Sequence, residues 1–316
     1  MPQPSPRALR KSLRTDLDPG LRFYADRARL RLEQAAHLPA LVRGGRTRRP
    51  IFVVSAPRSG SHLLFSILRQ ADGVATWRPS EAHEVWERDY HPALRGWDSN
   101  VLEASDLTPR AAARIRRTFF LVTGPRRRLL DKTPRNSLRL GLVDAVFPDA
   151  RYVFLQRDGR DNVNSLLNAW RSPRYRTYEL PQPHAIPGAD PRWWKFVLYP
   201  GWRADVSGPL EVVCARQWVT TNTHIEAATD RMEPSRYLRV RHEDLVDRPE
   251  AEVGKILGFL ELDYNEHLRA AAQAVRTTAV NAVTPPERGK WRRENPREVA
   301  AVASLIDPTM RALGYA

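Results

Sequence analysis

The 316 residues carry 51 Lys+Arg against 36 Asp+Glu, a formal charge of +15, with 42% hydrophobic and 28% charged residues. This is globular composition, long enough for one large domain or two modest ones, and it excludes a disordered chain. No apolar run approaches the ~20 residues of a membrane-spanning helix, and Cys214, the single cysteine, excludes an internal disulfide, a cysteine-rich metal site and a CxxC redox pair.

The first stretch, MPQPSPRALRKSLRTDLDPG, is basic but has no apolar h-region, so no secretory signal is expected and the cytoplasm is the expected compartment. Lys11, Lys132, Lys195, Lys255 and Lys290 are the only lysines, so arginine makes up the rest of the basic residues. Residues 1–50 hold 12 Lys+Arg and 4 Asp+Glu, a net +8, which leaves +7 for the remaining chain. Residues 1–49 therefore read as a basic extension, frayed at first and helical over Leu21–Ala36. Such an arm is a solvated face or a contact for nucleic acid or an anionic surface.

Residues 50–316 form the main domain. Ile51–Ser55 (IFVVS) is a continuous apolar run, the pattern of a strand buried on both faces. Pro57 and Gly60 break it, and Leu64, Ile67, Leu68 and Ala71 then recur at helical spacing. The same order returns downstream. Ala145–Phe147 closes a helix, Tyr152–Gln156 (YVFLQ) is a second buried strand, Asp158–Asp161 turns, and Asn162–Trp170 is a helix. Tyr237–Arg241 is a third strand, leading to a helix marked by Val253, Ile256, Leu257 and Leu260. Strands alternating with helices predict an α/β, P-loop-like three-layer fold with a central parallel sheet flanked by helices. Ligands in such sheets bind beyond the carboxyl ends of the strands, which points to the loops after Ser55 and Gln156.

Residues 171–208 interrupt this rhythm with Tyr175, Tyr178, Trp193, Trp194, Phe196, Tyr199 and Trp202 among several prolines. The segment is expected to be a lid or acceptor-binding insertion, with Trp170, Trp193 and Trp194 facing the acceptor, or else aromatics packing a loop onto the core. Cys214 is expected in a helix as core filler.

Ser55–His62 reads SAPRSGSH. A strand, a glycine-bearing turn and a helix start with Ser59 and Ser61 offer backbone N–H groups and hydroxyls to an anion, and Arg58 adds a permanent cation. The pattern GxxxxGK[ST] is absent, so the lysine of nucleotide triphosphatases is missing. Arg157 follows the second strand directly, and Ser165 lies eight residues later, so a guanidinium and a hydroxyl can converge on a second phosphate. Arg160 and Asp161 read as a turn and helix N-cap. Two anion sites at neighbouring strand ends imply a nucleotide with two separated phosphate groups.

APRSGSHLL, followed about a hundred residues later by FPDARYVFLQRDGRDNVNSLL, resembles the sulfotransferase family, which uses 3′-phosphoadenosine 5′-phosphosulfate (PAPS). DKTPRN at Asp131–Asn136, RVRHEDLVDRPE at Arg239–Glu250 and RGKWRRE at Arg288–Glu294 extend the resemblance, in order, from about residue 50 to 295. It implies sulfuryl transfer from PAPS to a hydroxyl or amine of a small-molecule, carbohydrate or lipid-linked acceptor, without a metal. Arg58, Ser59, Gly60, Ser61 and His62 would hold the 5′-phosphosulfate, Arg157 and Ser165 the 3′-phosphate. Arg288, Gly289, Lys290 and Trp291 resemble the loop that closes over the cofactor, and Lys132 matches a lysine near the transferring group. Arg58 and Lys132 would neutralise the leaving group. The general base is expected from Glu81, with His83 and Glu84 as rivals. A P-loop-type small-molecule or nucleoside kinase is the alternative enzyme, and a basic nucleic-acid-binding protein the alternative outside enzymes. No specific nucleic-acid partner is expected, because the basic excess sits before residue 50.

Overall fold

The computed structural model describes residues 34–77, 81–276 and 287–315. The helix expected at Leu21–Ala36 lies mostly outside them; residues 34–42 are helical. Five strands form the main sheet: β1 (Ile51–Val54), β2 (Val74–Thr76), β3 (Arg128–Asp131), β4 (Arg151–Gln156) and β7 (Tyr237–Arg241), in the order β2-β3-β1-β4-β7. Every pairing is parallel, with Ile51 opposite Leu130 on one side and Arg151 on the other.

Helices cover both faces, as the alternation of strand and helix requires. In chain order they are α1 (Ser61–Leu68), α2 (His83–Tyr90), α3 (Pro109–Thr123), α4 (Leu140–Val146), α5 (Gly159–Arg171), α6 (Leu210–Thr229), α7 (His242–Asp247), α8 (Pro249–Leu260), α9 (Glu266–Gln273), α10 (Trp291–Glu294), α11 (Pro296–Ala301) and α12 (Ala303–Ala312). Successive strand side chains point to opposite faces. Phe52, Val54, Tyr152 and Phe154 enter one core with Trp86, Phe119, Leu166 and Trp218. Ile51, Val53, Val153 and Leu155 enter the other with Leu64, Ile67, Ile256 and Leu257. Three layers around two cores are the expected fold. Truncating a side chain such as Phe154 to alanine would cost about 3–5 kcal/mol at either face.

The 171–208 segment is ordered by packing. Strands β5 (Tyr178–Glu179) and β6 (Trp193–Trp194) pair antiparallel within it. Lys195, 2% exposed, gives its ammonium to the carbonyls of Ala169, Trp170 and Ser172, capping the C-terminus of α5. Gln217 of α6 accepts from Trp170 Nε1 at 3.0 Å and donates to the carbonyls of Lys195 and Val197 at 2.8 Å. Trp170 and Trp194 are both 0% exposed, their rings 5.2 Å apart edge to face. They are core residues and do not face an acceptor, because only the interior buries rings of that size completely. Cys214 is fully buried on α6, as expected, and burial pushes its thiol pKa up.

Candidate active site

The loops leaving the carboxyl ends of β1, β3, β4 and β7 contribute to the wall of one cavity of about 720 Å³. The β1 loop starts fixed: Ser55 N donates to Ser137 Oγ, which donates back to Ser55 O, both at 3.0 Å. Arg58 then takes φ 69° and Gly60 φ 88°, just before α1 begins. A Cβ on Gly60 would lie 2.4 Å from His242 Nδ1, so glycine is needed for backbone and close approach alike. Arg58 Nε donates to Ser165 Oγ at 3.3 Å, and its Nη1 to Tyr175 OH at 3.0 Å. Burial lowers the Arg58 pKa from its ordinary value, but a guanidinium keeps its charge at neutral pH.

Arg157 leaves the end of β4 and donates from Nη1 to Arg58 O at 2.7 Å. It thus braces the backbone at the left-handed residue, and the two expected anion sites meet through Arg58, Ser165 and Arg157. Asp158 N donates to Glu243 Oε1 at 3.0 Å, tying this strand end to the start of α7. Arg157 Nε and His242 Nδ1 are buried without hydrogen-bond partners among the described residues. Burial, with Arg157 and Arg288 nearby, pushes the His242 pKa well down, so its ring is neutral. Buried polar atoms left unpaired around a cavity call for a ligand or water. Beside the Arg58 guanidinium and the start of α1, they fit a phosphate-bearing ligand.

Lys132 is aimed from the opposite wall. Asp131, buried at the end of β3, accepts from Trp86 Nε1 at 2.7 Å, Thr133 Oγ1 at 2.7 Å and Asn136 Nδ2 at 3.0 Å. Thr133 Oγ1 in turn accepts from Ala82 N at 3.0 Å, placing the start of α2 beside β3. Between these anchors, the Lys132 ammonium bonds Glu81 Oε1 and sits 3.4 Å from His62 Nδ1. Glu81 Oε2 meets His83 Nε2. Burial alone would raise the Glu81 pKa, but Lys132 and His83 more than offset it and hold the carboxyl well below the usual range. His62 is pushed down to about 4 by burial and by Lys132, so it too is neutral at pH 7. Burial, with Arg135 beside it, lowers the His83 pKa. A neutral His83 facing an ionised carboxylate must donate from Nε2, leaving Nδ1 as a buried acceptor without a partner among the described residues.

Arg58, Gly60, Ser61, His62, Glu81, His83, Lys132, Arg157, Ser165 and Lys290 thus share the cavity wall. Other expected residues stand behind it. Ser59 is 1% exposed and accepts from Asn162 Nδ2 at 2.8 Å, so it holds the loop to α5 and does not line the cavity. Glu84 is exposed on α2 outside the wall. Arg288 pairs with Asp247 at 2.5 Å, and Trp291 packs against the core. Trp193 is half-buried outside the wall with Arg176 stacked on it at 5.4 Å; the aromatics that do line the cavity are Tyr175 and Phe196. Asp158 is the cap of α5, accepting from Arg160 N at 2.8 Å, where the sequence pointed to Arg160 and Asp161. His242 escaped the reading of the residues, although its place directly after β7 obeys the strand-end rule that found Arg157.

Among the described residues, no three or more His, Cys, Asp and Glu side chains are grouped to hold a metal ion, and no helix is long and apolar enough to cross a membrane.

Protein-tyrosine sulfotransferase A of Caenorhabditis elegans is 24% identical over 301 residues, covering 85% of this chain and 68% of that protein. The protein-tyrosine sulfotransferase of Drosophila melanogaster is 23% identical over 296 residues, covering 84% of this chain but 51% of that protein, so the chain spans about half the length of the fly relative. The crystal structure of sulfotransferase STF9 from Mycobacterium avium shares the fold, with a TM-score of 0.57 at 15% identity over 90% of this chain and 82% of that one. The sulfotransferase family model matches residues 50–185 and 192–266, the stretch that builds the sheet and most of the cavity wall. On that match the protein belongs to the sulfotransferase family, the PAPS-dependent enzymes that the order of its loops resembles.

Proposed function

We propose that this chain moves a sulfuryl group from PAPS to a hydroxyl, or an amine, of its acceptor by in-line transfer at the cavity bounded by Arg58, Lys132 and Arg157. The observation that carries the reading is a pair of buried atoms without partners among the described residues, Arg157 Nε and His242 Nδ1, on side chains that line the cavity beside Gly60. Arg58, Gly60, Ser61 and His62 would hold the 5′-phosphosulfate, and Arg157, Ser165 and Lys290 the 3′-phosphate, with His242 completing the wall between them. The bound donor supplies the sulfuryl group and a phosphate leaving group.

The protein's part is positioning and electrostatics. Arg58 and Lys132 place fixed positive charge where the leaving oxygen gains negative charge. Glu81 is ionised at neutral pH and has a spare lone pair on each carboxylate oxygen, so it can orient the acceptor O–H and take its proton late. His83 fixes one carboxylate oxygen of Glu81 by donating to it.

On the acceptor side, Pro134, Tyr175, Thr177 and Phe196 line the wall, with the exposed Arg174 and Arg176 at the rim. Phe196 holds φ 64°, unusual for so bulky a residue, and its N–H donates to Thr177 Oγ1 at 2.8 Å. A ring-bearing small molecule, sugar or lipid-linked hydroxyl suits this wall. The names of the nematode and fly relatives favour a second reading, a tyrosyl hydroxyl of a protein. The cytoplasm remains the proposed compartment for a chain whose one cysteine is buried. The test supplies PAPS, or ATP with Mg²⁺, with phenols, sugars and tyrosyl peptides and identifies products by mass. A sulfated product from PAPS is expected; a phosphorylated product from ATP alone would contradict the proposal.

A further inference from the structure

Asp161 is 5% exposed and lies one turn beyond the strand end that carries Arg157. Asp158 already caps its helix, so Asp161 is not needed there. Its carboxylate instead reaches across 128 residues: Oδ2 accepts from Gly289 N at 2.7 Å, and Oδ1 from Trp291 N at 3.4 Å. Both partners flank Lys290, which lines the cavity. The same face of α5 continues the attachment at helical spacing. Asn164 and Asn168 donate to Glu294 Oε2 at 2.7 and 2.9 Å, Asn295 Nδ2 donates to Asn164 Oδ1 at 2.6 Å, and Arg171 donates to Asn295 and Glu298. One stripe of α5 thus grips residues 289–298, and Asn164 and Asn168 in it line the cavity together with Ser165.

A buried carboxylate beside a pocket for a multiply charged anion opposes that anion by its charge. Its presence calls for a compensating role, and the two backbone hydrogen bonds supply one. We propose that Asp161 is a positioning residue for the donor: by holding the N–H groups of Gly289 and Trp291, it keeps Lys290 in the wall against the phosphate site. This rests on the PAPS reading above and adds a residue to it.

The two possible effects of Asp161 have opposite signs, which makes the substitution informative. Asp161→Asn removes the negative charge but keeps one acceptor oxygen for one of the two N–H groups. If Asp161 acts through charge alone, adenosine 3′,5′-bisphosphate binds Asp161→Asn more tightly than wild type. If it positions Lys290, binding weakens several-fold in Asp161→Asn and about tenfold or more in Asp161→Ala, the loss of a charge-assisted hydrogen-bond pair. Affinity is measured calorimetrically on the full chain, and folding of each variant is checked by thermal unfolding. The double variant Asp161→Ala/Lys290→Ala should bind no worse than Lys290→Ala, since the first change works through the second. Unchanged or tighter binding by Asp161→Asn, or additive losses in the double variant, would overturn the inference. Failure of the wild type to bind the bisphosphate would instead remove the PAPS reading itself.

Discussion

Glu81→Gln should lower turnover by at least a hundredfold while leaving affinity for adenosine 3′,5′-bisphosphate within about twofold, the range expected when a positioned base is lost. The carboxylate sits between Lys132 and His83, and these two neighbours keep it ionised despite burial. Such a base is intrinsically weak. By analogy with loose phosphoryl transfer, a weak base suffices, because the attacking hydroxyl becomes acidic only as its bond to sulfur forms. The sign of the pH dependence follows. In the proposed mechanism turnover needs ionised Glu81, whose folded pKa lies below the ordinary carboxylate value of about 4.3. On the Glu81 titration alone the rate should therefore hold level as pH falls from neutrality toward that value, and any fall close to pH 4 would report His62, whose pKa is about 4. Steady-state rates with donor and acceptor saturating check both parts. Turnover within twofold of wild type in Glu81→Gln would shift the proton acceptor to His83.

Arg157→Ala should weaken adenosine 3′,5′-bisphosphate by at least about a hundredfold with the fold retained, because it removes a buried guanidinium that lines the cavity and whose Nε has no hydrogen-bond partner among the described residues. A second loss adds to the first: Arg157 Nη1 no longer braces Arg58 O, where the backbone holds φ 69°. Arg157→Lys restores the charge but not the planar fork that serves Arg58 O and the cavity together, so it should rescue little. Calorimetric titration of both variants is the check. Full rescue by lysine would mean that charge alone matters at this position, and undiminished binding by Arg157→Ala would remove it from the phosphate site.

The sequence read best where one residue type has one use. Ile51–Val54 and Tyr152–Gln156 are apolar without interruption because helices bury both faces, and the loops after them carry residues that line the cavity. β2 and β3 escape such a reading: β2 has only three residues, and β3, as short as β1, opens with an arginine and ends on Asp131. The tryptophans misled for a physical reason. A large aromatic is equally at home in a core and on a ligand, and only the contacts with Gln217, Val197 and each other place Trp170 and Trp194 inside. Lys195 likewise reads as a surface charge, yet it is buried because three carbonyls at the end of α5 receive it. Asp161 has the composition of a cap but partners 128 residues away, which no local rule can find. His242 was within reach, since it leaves a strand end just as Arg157 does.

The central claim is that this cavity holds an adenosine nucleotide by separate 5′ and 3′ anion sites. Thermal unfolding with adenosine 3′,5′-bisphosphate, 5′-AMP and ATP–Mg²⁺ tests it most directly. At a hundred times its Kd the bisphosphate adds about 2.7 kcal/mol to the native state, and at equal concentration 5′-AMP, lacking the 3′-phosphate, should add much less. Selective stabilisation by the bisphosphate is the predicted result. Equal stabilisation by 5′-AMP, or stabilisation by ATP–Mg²⁺ alone, would contradict it.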